Sequence, residues 1–201
     1  MKNNNLNSPL SKSIEEPKFS IKIIIYILLS TISTFITLQI MDVDKIVKES
    51  TSQGIDPEMT RKFVIIGSTI SSIFSMIISI LIMWLIFVFI SKMMKSSTSK
   101  KSLFSATLIF LIISTLLQVI ILSIQWGVGL PFPKYNISSL NIFSPGNQFL
   151  ESINLQHLLE SYLFGLVFYK TSKLSKKKSV ILGIIYFVVV IFFSLSVFLI
   201  K

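Results

Sequence analysis

The sequence predicts an all-α membrane protein, a bundle of five transmembrane helices with a disordered cytoplasmic N-terminal tail. Apolar residues make up 52% of the 201 residues and charged residues only 14%, which is too apolar for an ordinary soluble domain. The apolar residues are grouped into five runs that charged or turn-forming segments separate. Lys and Arg outnumber Asp and Glu by 19 to 9, and they are concentrated in alternate connections, as in multi-pass membrane proteins.

The chain divides into two parts at about residue 20. Residues 1–20 are rich in Asn and Ser and contain Pro9 and Pro17, so they hold too little apolar surface to fold by themselves. Residues 21–200 form the predicted five-helix transmembrane domain. A hydrocarbon core of ~30 Å needs about 20 apolar residues per helix at ~1.5 Å rise. The predicted spans cover about residues 21–41, 63–90, 103–126, 155–170 and 180–200.

The first apolar run has two interpretations, a cleaved signal peptide and a retained helix. Residues 21–41 exceed the roughly 7–15 residues of a signal-peptide core, and no small-residue cleavage pattern follows them. We therefore favour a retained span.

Two predicted helices carry start signals. Asp56 precedes Pro57 and Glu58. The Asp56 side-chain oxygen can cap a helix, the proline ring holds φ near its helical value, and Glu58 makes the first turn acidic, so this combination predicts a helix start. Asn154 can cap the fourth helix in the same way. Helix two thus begins before its apolar part, and we expect it to tilt or to project into water because it exceeds a perpendicular span.

The distribution of lysines predicts the orientation. Lysines are abundant in the tail and the start of helix one, in the connection between helices two and three, and in the connection between helices four and five. Because cytoplasmic segments carry the excess of Lys and Arg, we expect a cytoplasmic N-terminus and a C-terminus outside. Abundant Ile, Lys and Asn with few Gly and Ala indicate an AT-rich genome, so we expect a multi-pass protein of a bacterial cell membrane.

The sequence offers little for catalysis or for cofactor binding. It has no cysteine and one histidine, too few for a zinc or iron–sulfur site. It has no glycine-rich phosphate loop, and the four-residue spacing of His157 and Ser161 occurs by chance on many helices. We therefore expect no enzyme activity, no cofactor and no metal, and we attribute the basic charge to membrane orientation rather than to nucleic-acid binding.

The fourth predicted helix carries the single histidine and a carboxylate. If Asn154 is the cap, His157 lies in the first turn and Glu160 about one turn deeper, both near the outer interface. With Gln118 of helix three they form a candidate polar site, because an ionisable residue inside a membrane is by default a functional hypothesis. One interpretation is a proton or cation site. The other is structural, with both side chains hydrogen-bonded at the interface.

Helix two contains a series of small residues at four-residue spacing. Small residues at that spacing let two helices approach closely, and Ser hydroxyls can bridge them. The series predicts a helix-packing seam, which either packs within the bundle or holds a second copy or a partner. Its members are Gly67, Ser71, Ser75 and Ser79.

The connection between helices four and five contains candidate lipid-headgroup contacts. Each Lys near an anionic membrane surface contributes about 1 kcal/mol. The candidates are Lys173, Lys176, Lys177 and Lys178.

Four short motifs lie in the second half of the chain. They are Ile153-Asn154-Leu155 at the start of helix four, then Leu158-Leu159 and Gly165-Leu166, and the exit KLSKKKS at 173–179. In this pattern the chain resembles the Yip family of Rab/Ypt-interacting membrane proteins and its bacterial branch, over roughly residues 15–200. It departs from the family pattern at Asn154, His157 and Ser179, where an acid, an aromatic residue and an alanine are usual.

The resemblance implies a non-enzymatic integral membrane accessory protein that binds another membrane complex. Bacterial members resemble partners of peptide exporters and protectors against membrane-active toxins, so the implied partner is an ABC-type exporter or a toxin-defence (immunity) assembly. Membrane lipids are the other expected partners, and homo-oligomerisation is left open. The alternative is a small polytopic transporter or permease subunit, with a polar pathway near Gln118, His157 and Glu160.

Overall fold

The computed structural model describes residues 18–41, 43, 47–48, 56–132, 135–145 and 147–199. These residues form an all-α fold without a β-strand, as predicted. The predicted tail lies outside the described residues up to residue 17. The helices are α1 (Ser20–Ile40), α2 (Pro57–Met93), α3 (Lys100–Gly127), α4 (Gln148–Ser152), α5 (Leu155–Thr171) and α6 (Lys176–Leu199), with a 3-10 helix at Leu140–Phe143.

Four helices in the described part of the chain are long and apolar enough to cross a membrane. They are α1, α2, α3 and, within α6, the stretch Lys176–Ser196. Helix α5 has 17 residues, which corresponds to about 25 Å at ~1.5 Å per residue, somewhat less than the ~30 Å hydrocarbon core. It coincides with the predicted span at 155–170, and whether it crosses the membrane stays a prediction.

Both predicted helix starts are confirmed. Asp56 Oδ1 accepts a hydrogen bond of 2.9 Å from the backbone N–H of Glu58, and Pro57 is the first helical residue of α2. Asn154 Oδ1 accepts one of 2.8 Å from the N–H of His157 in α5. Each cap satisfies a donor that the first helical turn leaves without an intrahelical acceptor, so local sequence decides where α2 and α5 begin.

The described parts of the three lysine-rich segments lie at one end of the bundle. Phe19, which precedes α1, packs edge-on against Phe104 in the first turns of α3, with ring centroids 5.8 Å apart. The connection between α2 and α3 reaches the end of α5, where Thr98 Oγ1 donates a hydrogen bond of 2.7 Å to the Thr171 carbonyl. We call this end of the bundle the lysine-rich end.

At the opposite end, the segment after α3 folds back onto the helices. Gly129 has φ +67°, a left-handed conformation that ends α3 and that glycine adopts without strain. The side chain of Gln125, only 1% exposed, donates a hydrogen bond of 2.8 Å to the Tyr135 carbonyl. The N–H of Phe132 donates one of 3.0 Å to the Ile40 carbonyl at the end of α1. The predicted loop is therefore held to α1 and α3 by its backbone.

Phe87, from the C-terminal half of α2, is fully buried at the centre of an aromatic cluster. Its ring centroid lies 5.8 Å from that of Phe110 in α3, and 5.4 and 5.5 Å from those of Phe164 and Phe168 in α5. Tyr186 of α6 stacks on Phe164 at 4.4 Å. Aromatic pairs contribute about 0.5–1.5 kcal/mol each beyond the area that they bury, so this cluster holds four helices together.

Helices α5 and α6 approach closely at two glycines. A Cβ atom at Gly165 would lie 2.6 Å from the carbonyl oxygen of Ser179, and a Cβ atom at Gly183 would lie 2.7 Å from that of Ser161. Both obstacles are backbone atoms, so any side chain here forces the helices apart. Small residues allow such close approach in membranes. We call this contact the glycine crossing.

Most of α2 contacts the rest of the molecule only loosely. The helix has 37 residues, about 55 Å at ~1.5 Å per residue, which agrees with the expectation that it exceeds a perpendicular span. Only Thr60, Phe87 and Ser91 among its residues are buried. The aromatic cluster therefore holds its C-terminal half, while its N-terminal half packs against few of the residues that the structure describes.

Gly165→Ala should weaken the contact between α5 and α6, because the new Cβ meets the Ser179 backbone. Overpacking of this kind costs about 1–3 kcal/mol, so the variant should melt at a lower temperature than the parent in a detergent thermal-shift measurement. Gly67→Ala is the matched control, since a Cβ there meets nothing within 4 Å. Equal melting temperatures for the two variants would contradict the glycine crossing.

Candidate functional site

Glu160 lies in a polar cluster that joins three helices. Its Oε1 accepts hydrogen bonds from the Ser114 hydroxyl of α3 and from Gln156 Nε2 at 3.0 Å. Its Oε2 accepts one from the Tyr186 hydroxyl of α6 at 3.3 Å. Gln156 Nε2 also lies 3.2 Å from Ser114 Oγ. We call these four residues the Glu160 cluster.

The Glu160 cluster lies deeper than the sequence indicates. The position of Glu160 near the start of α5 predicts a location at the outer interface, but Ser114 and Tyr186 lie about halfway along α3 and α6. The difference arises because α5 is much shorter than α3, so its first turns begin inside the bundle. A carboxylate at that depth is costly unless it is hydrogen-bonded, and the three donors supply those bonds.

His157 is bonded to the residues that precede it rather than to Glu160. Its Nδ1 lies 2.9 Å from the Ser152 carbonyl, and because a carbonyl only accepts, Nδ1 is the donor. Its Nε2 lies 3.5 Å from Asn154 Nδ2. The ring thus ties the start of α5 to the end of α4, and no hydrogen bond within the described residues joins it to Glu160.

Gln118 belongs to a different site, a cavity of about 420 Å³ between α1, α2 and α3. Many of the lining side chains are hydroxyls, and some of them bond to their own helix, as Thr37 Oγ1 does at 2.9 Å to the Ser33 carbonyl. Gln118 itself makes no hydrogen bond with any residue of the described ranges. We call this space the hydroxyl-lined cavity.

Part of the predicted helix-packing seam faces the hydroxyl-lined cavity. Ser71, Ser75 and Ser79 line the cavity, whereas Gly67 would meet nothing within 4 Å even with a Cβ atom. Ser79 Oγ donates a hydrogen bond of 2.6 Å to the Ser75 carbonyl. The Ser71 hydroxyl has no partner in the part of the chain that the structure describes. The seam therefore lies opposite α1 and α3 across the cavity, and its Ser79 hydroxyl reaches the Tyr26 hydroxyl of α1.

The four candidate headgroup lysines are exposed at the lysine-rich end. Lys173 has φ +51°, within the short turn that reverses the chain between α5 and α6. The remaining three, Lys176, Lys177 and Lys178, form the first turn of α6. Ser175 Oγ accepts a hydrogen bond of 3.4 Å from the N–H of Lys178, which satisfies one donor of that turn.

Sequence reasoning missed three members of the Glu160 cluster, since Ser114, Gln156 and Tyr186 were not among the predicted site residues. Gln156 precedes Glu160 by four residues and so shares its helix face, a signal that was present in the sequence. Tyr186 lies within a long apolar run, where an isolated Tyr gives no indication of its partner. Its contact with Glu160 depends on how α5 and α6 cross.

The chemistry of the Glu160 cluster is limited to that of one carboxylate with neutral donors. Such a group can hold a proton or contact a cation. No set of three or more His, Cys, Asp or Glu side chains that could bind a metal occurs among the described residues. The cluster also has a structural effect, since it links α3, α5 and α6.

Comparison with known protein families gives a match. The family model described as Yip1 domain matches residues 11–198, which is most of the 201-residue chain. Comparison with the curated proteins and with the solved structures gives no match.

Tyr186→Phe should lower the free energy of unfolding by about 0.5–1.5 kcal/mol, because it removes one hydrogen bond and keeps the ring on Phe164. Glu160→Leu should cost more, since Ser114 and Gln156 lose their acceptor. In the double variant the free energy of unfolding should fall by less than the sum of the two single decreases. Once Glu160 is replaced, removal of the Tyr186 hydroxyl no longer breaks a hydrogen bond between the two side chains. Unfolding of the four proteins in detergent measures this coupling, and additive losses would show that the two side chains do not interact.

Proposed function

Since this chain belongs to the Yip1 domain family, we propose that it is a non-enzymatic accessory protein that binds another integral membrane complex. Its apolar helices support a multi-pass membrane protein. We further propose five spans, with α5 as the fourth, in a bacterial cell membrane. The shared lysine-rich end supports a cytoplasmic N-terminus and a C-terminus outside, because such segments are retained in the cytoplasm.

The observation that carries this proposal is the loosely packed N-terminal half of α2. From Arg61 to Ser75 none of its residues is buried. The same stretch carries Ser71 and Ser75. A hydroxyl that faces only lipid loses its hydrogen bonds, so contact with lipid alone does not account for these two residues. Small hydroxyl residues are typical of surfaces where one membrane helix meets another. This half of α2 therefore suits a helix of a partner complex.

The partner that we propose is an ABC-type exporter or a toxin-defence (immunity) assembly. The resemblance of bacterial family members to such accessory proteins supports this choice. The sequence has no glycine-rich phosphate loop of its own, so the partner would supply any ATP hydrolysis. A second copy of this chain on the same seam is the homo-oligomeric alternative.

Ser75→Leu should release the partner while leaving the yield of monodisperse protein unchanged, because the larger side chain obstructs the seam but replaces an exposed residue. The measurement is purification of N-terminally tagged protein from native membranes in mild detergent, followed by quantitative mass spectrometry. Ile73→Leu is the matched control, since Ile73 is 51% exposed and lies outside the cavity lining.

Two outcomes would count against the proposal. Loss of folded protein in Ser75→Leu would show that the seam packs within its own bundle. Recovery of the parent protein alone, or only as its own oligomer, would remove the partner and favour a transport function.

The hydroxyl-lined cavity supports a second candidate, a small transporter or permease subunit. The cavity has polar walls on three helices, and the amide of Gln118 makes no hydrogen bond with the described residues that surround it. Glu160 lies on the other side of α3 and supplies the titratable group that proton coupling requires. His157, which ties α5 to α4, has no part in this pathway.

If this second candidate is right, the purified protein should carry a pH-dependent flux in liposomes. Glu160→Gln and Gln118→Leu should each abolish the flux with unchanged reconstitution. Thr69→Val is the control, because Thr69 is exposed and bonds to its own helix at the Ile65 carbonyl. A flux that survives Glu160→Gln would eliminate the polar pathway.

A further inference from the structure

A groove of about 500 Å³ runs along the hairpin of α5 and α6. The glycine crossing forms its floor, since Gly165 and Gly183 are both buried and both line it. Its walls are apolar side chains that are 51–60% exposed, namely Leu158 and Tyr162 of α5 and Val180 and Ile184 of α6. The groove therefore opens toward the surroundings of the bundle rather than toward its core.

The length of the groove matches one leaflet of a membrane. It runs from Tyr169 and Lys176 at the lysine-rich end to Leu158 and Phe187. The distance along α5 from Leu158 to Tyr169 is about 16 Å at ~1.5 Å per residue. Half of a ~30 Å hydrocarbon core is about 15 Å. The groove is therefore long enough to hold one acyl chain from the leaflet at the lysine-rich end.

Positive charge is confined to one end of the groove. Lys176 lines it, and the other headgroup lysines are exposed beside it. Lys170 lies with Nζ 5.0 Å from the centroid of the Tyr169 ring at the same mouth. The sequence has no acidic residue from 161 to 201, and the start of α6 adds the positive end of a helix dipole. This end is complementary to a phosphate.

Ser179 adds a second, independent indication of a ligand. The residue lines the groove one helical turn from Lys176 and is 4% exposed. Its hydroxyl has no hydrogen-bond partner in the described ranges. A buried hydroxyl without a partner is unfavourable, and rotation of this side chain into the groove would let a phosphate or ester oxygen accept its hydrogen bond.

We propose that the groove binds one anionic phospholipid from the leaflet at the lysine-rich end. One acyl chain lies over the glycine crossing between α5 and α6. The phosphate contacts Lys176 and the first turn of α6, and Ser179 donates a hydrogen bond to a lipid oxygen. A zwitterionic lipid of the same chain length fills the groove equally but gains less from the lysines, so the site selects for net negative charge.

Native mass spectrometry of the full-length protein in detergent tests the charge selection. Phosphatidylglycerol and phosphatidylcholine with identical acyl chains are titrated separately, and the parent should retain phosphatidylglycerol preferentially. Lys176→Gln should reduce that retention about fivefold, the effect of one Lys at an anionic surface. Lys101→Gln is the matched control, because Lys101 is also exposed at the lysine-rich end but does not line the groove. The Lys101→Gln variant should retain as much phosphatidylglycerol as the parent.

A second pair of variants tests the groove itself. Val180→Trp fills the groove and should prevent retention of both lipids, whereas Val188→Trp should retain them. The two valines are 60% and 58% exposed on α6, so neither change disturbs the core. Ser179→Ala removes only the hydroxyl and should lower retention of phosphatidylglycerol.

Four results would overturn the proposal. Equal retention of the two lipids by the parent, or equal losses in Lys176→Gln and Lys101→Gln, would mean general charge attraction without a site. Retention by Val180→Trp would place the lipid elsewhere. Because the chain has no cysteine, Ile184→Cys adds a third check, since efficient disulfide cross-linking in membranes would show that a second copy covers the groove. None of these measurements depends on the proposed accessory function.

Discussion

The glycine crossing between α5 and α6 is the contact on which the C-terminal half of the molecule depends. With no side chain at Gly165 or Gly183, the two backbones meet, and Tyr186 stacks on Phe164 within reach of Glu160. On one side of the crossing lies the aromatic cluster, which anchors α2 through Phe87. On the other side lies the apolar groove. One backbone contact therefore positions the polar cluster, the attachment of α2 and the groove.

Helix α3 connects this half of the molecule to the other half. Its Ser114 bonds to Glu160, while Thr115 and Gln118 line the hydroxyl-lined cavity toward α1 and α2. The apolar contacts of Ile36 and Ile40 with Leu122 hold α1 to the same helix. Within the part of the chain that the structure describes, α2 is attached mainly at one end. An unevenly packed helix beside a firmly packed hairpin suits a protein that receives a helix from outside its own bundle.

Residue patterns predicted some features of the candidate site and not others. Asn154 was recognisable as a cap from its place before an apolar segment, and Glu160 from being an acid within one. The expected association of His157 with Glu160 rested on sequence spacing, yet His157 bonds back to Ser152. Gln118 lies in a separate cavity because α3 presents different faces to α2 and to α5. Spacing along one helix identifies shared faces but not the helix that each face meets.

The sequence by itself determined the membrane class, the all-α fold, the starts of α2 and α5 and the grouping of lysines into alternate connections. These features depend on local composition and on hydrogen bonds between neighbours in the chain. Only the tertiary structure decided that Glu160 lies midway along α3 and α6, that Tyr186 is its partner, and that Ser179 and Lys176 share a groove. Those relations depend on the rotation and depth of each helix, which distant contacts such as the glycine crossing set.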